Sequence, residues 1–213
     1  MATRTTKVPT HLRVRRKPED GEREILDAAE KLLDKHDFRD LTVDRVMRET
    51  GMVRSAFYNY FENSSELVMR LLQRIESEMM TASEAWLDDS TEDLNAGIEK
   101  GLLDVARIYA RHGRVLRAIH EASYHDREVE RHYRYGLIEN FINAVAARLR
   151  VEVAAGRAQL DDPEGIARAL LLLNVNMFVD RLGAGRRSDT PEAVAGTLAL
   201  IWRRTIYPNS NPS

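Results

Sequence analysis

The sequence predicts an all-α protein, an N-terminal three-helix helix-turn-helix unit followed by a larger helical domain, about nine helices in all. Three observations predict it. Apolar residues recur at three- and four-residue steps along most of the chain, helix-start residues stand before these stretches, and no run shows the alternation of a half-buried strand.

Residues 1–17 contain Arg4, Lys7, Arg13, Arg15, Arg16 and Lys17 and no acid, so residues 1–20 read as a basic flexible arm. The arm carries +6 of a net charge of −2, which leaves −8 on the remainder. It reads either as a strand for phosphates or a minor groove, or as a solubilising tail. The first helix is expected over residues 21–36, with Ile25, Leu26, Ala29, Leu32 and Leu33 on its buried face.

Residues 42–67, TVDRVMRETGMVRSAFYNYFENSSEL, read as two short helices around a glycine turn. Val43, Val46 and Met47 give the first its apolar side, and Gly51 readily takes the positive φ that ends a helix. The second is expected over residues 54–61. On a wheel of roughly 100° per residue, Val53, Phe57, Tyr60 and Phe61 form its buried stripe, while Ser55 and Asn59 face outward. Arg54, Ala56 and Tyr58 flank that outer face, which is small, hydrogen-bonding and cationic, as a major groove requires. Tyr60 stands at the edge, where its ring packs and its hydroxyl reaches a phosphate. A short amphipathic helix inside any all-α domain fits the same residues.

The reader unit spans residues 21–63 and the larger domain residues 64–213. Residues 18–63 hold seven basic and twelve acidic side chains, so sequence-independent DNA binding by this body should be weak. Asn63 with Glu66 forms a capping-box pattern opening a long helix to residue 87, with Leu67, Leu71, Ile75 and Met79 at four-residue steps. Ser90 with Asp93 opens the next, through residue 109, and a short helix after Arg111-His112-Gly113 carries Leu116, Ile119 and His120. Residues 126–155 read as another long helix, with Val129, Tyr133, Leu137, Phe141 and Val145 spaced by four. Asp162-Pro163 and Thr190-Pro191 each place a capping side chain before a first-turn proline and open the last two helices.

Those two helices predict a homodimer. Residues 166–179 are apolar on nearly every side, and the last helix adds Val194, Leu198, Ile201 and Trp202 beside the small Ala195, Gly196 and Ala199. Ordinary packing within one chain is the alternative.

A cavity for a largely hydrophobic small molecule is expected, surrounded by helices four to eight. Its expected lining is Met79, Leu102, Val105, Tyr109, Leu116, Ile119, Tyr133, Leu137, Phe141, Met177, Phe178 and Trp202, with Asn174 or Asn176 as polar anchor. The two asparagines lie about 200° apart on a helix, so only one faces a given cavity.

With 213 residues, 43% of them apolar, the chain can bury a sizeable core. It has no cysteine, which excludes disulfides and cysteine-bound zinc and fits a cytoplasmic location. The longest apolar run, residues 169–179, falls short of the roughly 20 needed to span a bilayer, and no signal peptide is expected. His120, His125 and His132 lie near several acids, but nothing brings three good ligands onto one face, so no metal is expected. No Gly-x-Ser-x-Gly, Walker loop or Gly-x-Gly-x-x-Gly is present; neither enzyme activity nor a cofactor is expected.

Leu41-Thr42-Val43, Thr50-Gly51, Phe57-Tyr58-x-Tyr60-Phe61 and Glu66-Leu67, with the preceding Ile25 to Leu33 face and Phe38, resemble the N-terminal signature of the TetR family of bacterial transcriptional regulators. Pro191-Glu192, Thr197-Leu198, Ile201-Trp202 and Ile206-Tyr207 are similar to its EthR subgroup. The resemblance implies a ligand-responsive repressor, binding palindromic double-stranded DNA as a dimer through the last two helices, with ligand and operator opposing one another. It assigns DNA contacts to Thr42, Arg54, Ser55, Ala56, Tyr58, Asn59, Tyr60 and Ser64. The chain departs from the family pattern at Val53, where a small hydroxyl residue is usual, at Ser55 (glycine or proline) and at Ser64, where a lysine would contact phosphate. A regulator that activates or answers to a protein, and a helical small-molecule binder or enzyme with a structural helix-turn-helix, are the alternatives.

Overall fold

The computed structural model describes residues 18–87, 94–183 and 189–208; the basic arm and the Ser90–Asp93 start signal lie outside them. Among the described residues every regular element is helical. The α-helices are α1 (Pro18–Leu33), α2 (Val43–Thr50), α3 (Ser64–Leu87), α4 (Leu94–Ala122), α5 (Arg127–Glu130), α6 (Glu139–Ala154), α7 (Pro163–Arg181) and α8 (Pro191–Ile206).

Local chemistry accounts for most boundaries. Thr42 caps α2 by accepting from the Arg45 amide at 3.3 Å, and Gly51 closes it in the left-handed region with φ 67°. Asn63 caps α3 at 2.8 Å through the Glu66 amide, while the Glu66 side chain accepts from the Glu62 amide at 2.6 Å. Asp162 and Thr190 cap α7 and α8, each directly before a proline. Helix α1 begins three residues earlier than expected, at Pro18, and its last turn tightens beyond Leu33 through the bond from the Lys35 amide to the Leu32 carbonyl.

The segment expected as the second reader helix is a six-residue 3-10 helix, Arg54–Asn59. Val53 precedes it in extended conformation and is 60% exposed, contrary to its expected place in the buried stripe. A wheel at 100° per residue does not describe a non-helical cap followed by 3-10 turns. Phe57 and Phe61 are buried, 5.3 Å apart between ring centroids, and Tyr60 is half-buried.

Helix α4 runs unbroken for 29 residues where two helices were expected. Gly113 does not stop it; a Cβ there would lie 2.8 Å from the Leu182 carbonyl oxygen and 2.9 Å from Gly183 Cα. The glycine lets α4 touch the end of α7 rather than end a helix. Helix α4 is the central element, packing on α3, α7 and α8 and touching α1.

The expected long helix over residues 126–155 is continuous, but its Arg131–Ile138 stretch has π-type bonding between α5 and α6. Asp126 caps it through the Glu128 and Val129 amides. One hydrophobic core joins the reader unit to the larger domain, from Ile25, Met47 and Phe57 through Leu67 and Leu71 to Leu116 and Ile119.

Candidate functional site: a recognition face and an apolar cavity

The reader unit presents one continuous polar face. Arg54, Ser55, Tyr58 and Asn59 are exposed on it, Ala56 is half-buried beside them, and Thr42 is exposed at the start of α2. Arg54 is oriented by Asp44, whose carboxylate lies 3.3 Å from its guanidinium. Tyr58 stands edge-on to the buried Phe57 ring at 5.5 Å, which holds it outward. The Tyr60 hydroxyl rests on the first turn of α1 at Gly21, where a Cβ would collide with it. Ser64 is half-buried at the first position of α3. Its neighbour Ser65 is not a free donor, because its hydroxyl donates to Asp126 at 3.1 Å. Val53, expected in the buried stripe, is instead exposed directly before Arg54.

The second feature is an apolar cavity of about 90 Å³ lined by α3, α4, α6, α7, α8 and the π-type segment. Ten of the residues expected to line it do so: Met79, Leu102, Val105, Tyr109, Tyr133, Leu137, Phe141, Asn174, Phe178 and Trp202. Leu116 and Ile119 are fully buried elsewhere in the core. Along the unbroken α4 they stand about 10 Å and 15 Å beyond Tyr109, past the end of the cavity. Leu171, Asn174, Val175 and Phe178 form the cavity stripe of α7 at i, i+3, i+4, i+7, so Met177 is turned off it and Asn176 is exposed. Asn174 is therefore the asparagine at the cavity, where its Oδ1 accepts from Trp202 Nε1 at 3.1 Å. Asn176 donates instead to the Leu172 carbonyl at 2.7 Å.

Sequence reasoning missed Ser83, Leu87, Ile98, Gly101, Ile138, Val145, Leu171 and Val175. The signal was present for several of them: 79, 83, 87 and 133, 137, 141, 145 simply continue stripes already recognised. Among the described residues no charged side chain borders the cavity. Its two tyrosines are held neutral by burial, which pushes Tyr109 up to about 12 and Tyr133 well above the usual phenol value.

Polar contacts tie the two features together. Arg74 of α3 reaches Asp27 at 2.8 Å and Glu30, both on α1. His112 of α4 lies 2.6 Å from the same Glu30, and Arg111 pairs with Glu78 at 2.6 Å. The His112 contact is the main cause holding the Glu30 carboxyl below its ordinary range, with Arg74 adding to it.

On the outer side, α7 leaves Ala169, Leu172 and Asn176 exposed and α8 leaves Gly196, Leu200 and Ile201 exposed. Val194, Ala195, Leu198, Ala199 and Trp202 are instead buried within the chain, as α8 packs on α4 and α7. Among the described residues no helix is long and apolar enough to cross a membrane, and no group of acids and histidines could hold a metal.

Comparison with known proteins agrees with this architecture. The profile for the C-terminal domain of the transcriptional regulator EthR matches residues 98–208, and that for bacterial regulatory proteins of the tetR family matches residues 25–71. The HTH-type transcriptional regulator EthR of Mycolicibacterium smegmatis is 26% identical over 190 residues, 89% of this chain and 87% of that protein. EthR of Mycobacterium tuberculosis is 29% identical over 195 residues, covering 89% and 88%. Among solved structures, NalD, the secondary repressor of the MexAB-OprM multidrug efflux pump in Pseudomonas aeruginosa, superposes with TM-score 0.73 at 19% identity, covering 90% of this chain and 100% of NalD. Salmonella enterica GusR gives TM-score 0.72 at 18% identity, covering 90% and 98%, and both likenesses are of fold.

Proposed function

The chain belongs to the TetR family of bacterial transcriptional regulators, with a C-terminal domain of the EthR type, and from that premise we propose a repressor that binds a palindromic operator as a homodimer and is released by a largely hydrophobic small molecule. The observation that carries this reading is α3. It begins at Ser64 beside the recognition face and brings Met79, Ser83 and Leu87 to the cavity wall, while its Arg74 grips α1 of the reader unit. A ligand that shifts the α3 wall of the cavity carries the reader unit with it. Ligand and operator then oppose one another by the same factor.

Residues 1–20, 21–63 and 64–213 divide this work as arm, reader, and ligand-binding and dimerisation domain. The exposed Leu172, Leu200 and Ile201 support the dimer, since a second copy would cover them. Two recognition faces related by a two-fold axis match a palindrome. Thr42, Arg54, Ser55, Ala56, Tyr58 and Asn59 are the proposed groove and phosphate contacts, with Tyr60 and Ser64 at the flanking helix starts.

The test is Asn59→Ala. The Asn59 side chain is exposed and makes no side-chain hydrogen bond among the described residues, so the fold does not need it. Affinity for the selected operator should fall by at least about fivefold, since a good base contact contributes about 1–3 kcal/mol. Binding to scrambled duplex and Tm should not change. A wild-type protein that binds operator and scrambled duplex alike would defeat the proposal.

A further inference from the structure

The start of α3 lies beside the recognition face, yet it offers DNA little positive charge. Residues 62–69, ENSSELVM, hold two acids and no base. Arg70, the first cation of α3, is drawn to Glu22 at 3.8 Å and Glu66 at 3.9 Å. A phosphate that reaches Ser64 therefore finds hydroxyls and amides there, but no free cation in the first turns of that helix.

The larger domain brings one to this point. The Ser65 hydroxyl donates to Asp126 at 3.1 Å, and Asp126 also caps α5 through the Glu128 and Val129 amides, so α5 begins beside the first turn of α3. Its first residue, Arg127, is exposed and, among the described residues, makes neither an ion pair nor a side-chain hydrogen bond. The same holds for the exposed Arg131, four residues further along the same face. Like charges at i, i+4 repel one another on a helix, so this face lacks the anion that would stabilise it. The neighbouring acids do not supply it: Asp126 is occupied by its caps, and Glu130 faces Arg134 at 3.9 Å.

Resting on the operator-binding reading above, we propose that Arg127 of the larger domain contacts a DNA backbone phosphate beside Ser64, so that the operator is held from both domains. Arg131 adds to the positive field around that contact. The helix that carries Arg127 continues through the π-type segment to Tyr133 and Leu137 in the cavity wall. Movement of that wall therefore reaches the phosphate without passing through the reader unit.

The experiment measures Kd for the selected operator between about 50 and 200 mM salt with wild-type protein, Arg127→Gln and Arg127→Lys. A dimer sets two copies of Arg127 on the duplex, so Arg127→Gln should flatten the slope of log K against log salt by about two and weaken binding at least about tenfold at the lowest salt. Operator and scrambled duplex should weaken alike, because a phosphate carries no sequence, and Arg127→Lys should recover most of the loss. The exposed side chain makes no bond within the described residues, so Tm should not change. Arg150→Gln, which removes the same charge from the exposed surface near the end of α6, should leave slope and affinity as they are. A methylphosphonate scan of the operator then locates the contact. At one phosphate in each half-site, neutralisation should weaken wild-type binding and leave Arg127→Gln unaffected. An unchanged slope in Arg127→Gln, an equal loss in Arg150→Gln, or no phosphate whose neutralisation separates wild type from Arg127→Gln would overturn the inference while leaving the operator-binding reading standing. If the wild type does not prefer its operator over scrambled duplex, the operator-binding reading fails and this inference with it.

Discussion

Phe57→Ala is expected to abolish sequence-specific DNA binding while leaving the cavity intact. Phe57 is fully buried beneath the recognition segment, in contact with Tyr58 on one side and Phe61 on the other. That segment is six residues of 3-10 helix with no side-chain cap at Val53, so its own hydrogen bonding gives little support. Its shape comes from the ring underneath. Truncating a buried phenylalanine costs about 3–5 kcal/mol, a large share of the stability of a small unit. Operator binding in a mobility-shift titration should drop below detection, and thermal unfolding should begin earlier. Binding of an apolar probe such as an alkylbenzene to the cavity should persist, because the cavity is built from α3, α4 and the helices that follow. Loss of both binding activities together would show that the reader unit and the cavity depend on one folding event.

The second large effect lies at the opposite end of the molecule. Glu152 is fully buried on α6 and holds three partners: Arg148 at 2.9 Å, Arg157 through two bonds at 2.8 and 2.9 Å, and the Tyr207 hydroxyl at 3.1 Å. It thereby joins the end of α6, the turn after it and the end of α8. Glu152→Ala removes the buried carboxylate on which Arg148, Arg157 and Tyr207 converge, and breaking a buried ion pair from one side costs about 3–5 kcal/mol. The Glu152 carboxyl is held below its ordinary value, chiefly by the Arg157 hydrogen bond and further by Arg148 and Tyr207. A depressed carboxylate contributes stability that is fully present above its unfolded value, near pH 4.5, and is lost as pH falls through the folded value. Wild-type Tm should therefore fall on acidification below about pH 4.5, and Glu152→Gln should start lower and fall less steeply over the same range. Parallel curves for the two proteins would contradict the charge-based account of this cluster.

Much of this molecule was legible in its sequence because its signals are local. Gly51, Asn63, Asp162 and Thr190 each set a helix boundary with their own side chain or backbone, and each was readable as such. The cavity stripes were legible where a four-residue step repeated, as from Tyr133 to Phe141. The failures occur where the local signal and the tertiary contact diverge. Gly113 reads as a helix end, yet its missing side chain serves the approach of Leu182 and Gly183, some 70 residues away. Val53 reads as core on an α-helical wheel, yet the backbone there is extended. Of the expected lining, Leu116 and Ile119 miss the cavity for distance along α4 and Met177 for rotation on α7, neither of which composition encodes. The partnership of Asn174 with Trp202 required the packing of two helices 28 residues apart to become visible.

Selection of randomised duplex DNA by the purified protein at near-physiological salt, followed by sequencing and stoichiometry on the enriched site, tests the central claim most directly. The expected result is a palindrome whose half-sites are matched by an even number of protomers, with affinity that keeps its sequence preference as salt rises. Addition of a largely hydrophobic small molecule that binds the cavity should then release the protein from that site. Absence of any enriched sequence from a folded, ligand-free protein, or a ligand that fills the cavity and leaves operator affinity unchanged, would contradict a repressor governed from its apolar cavity.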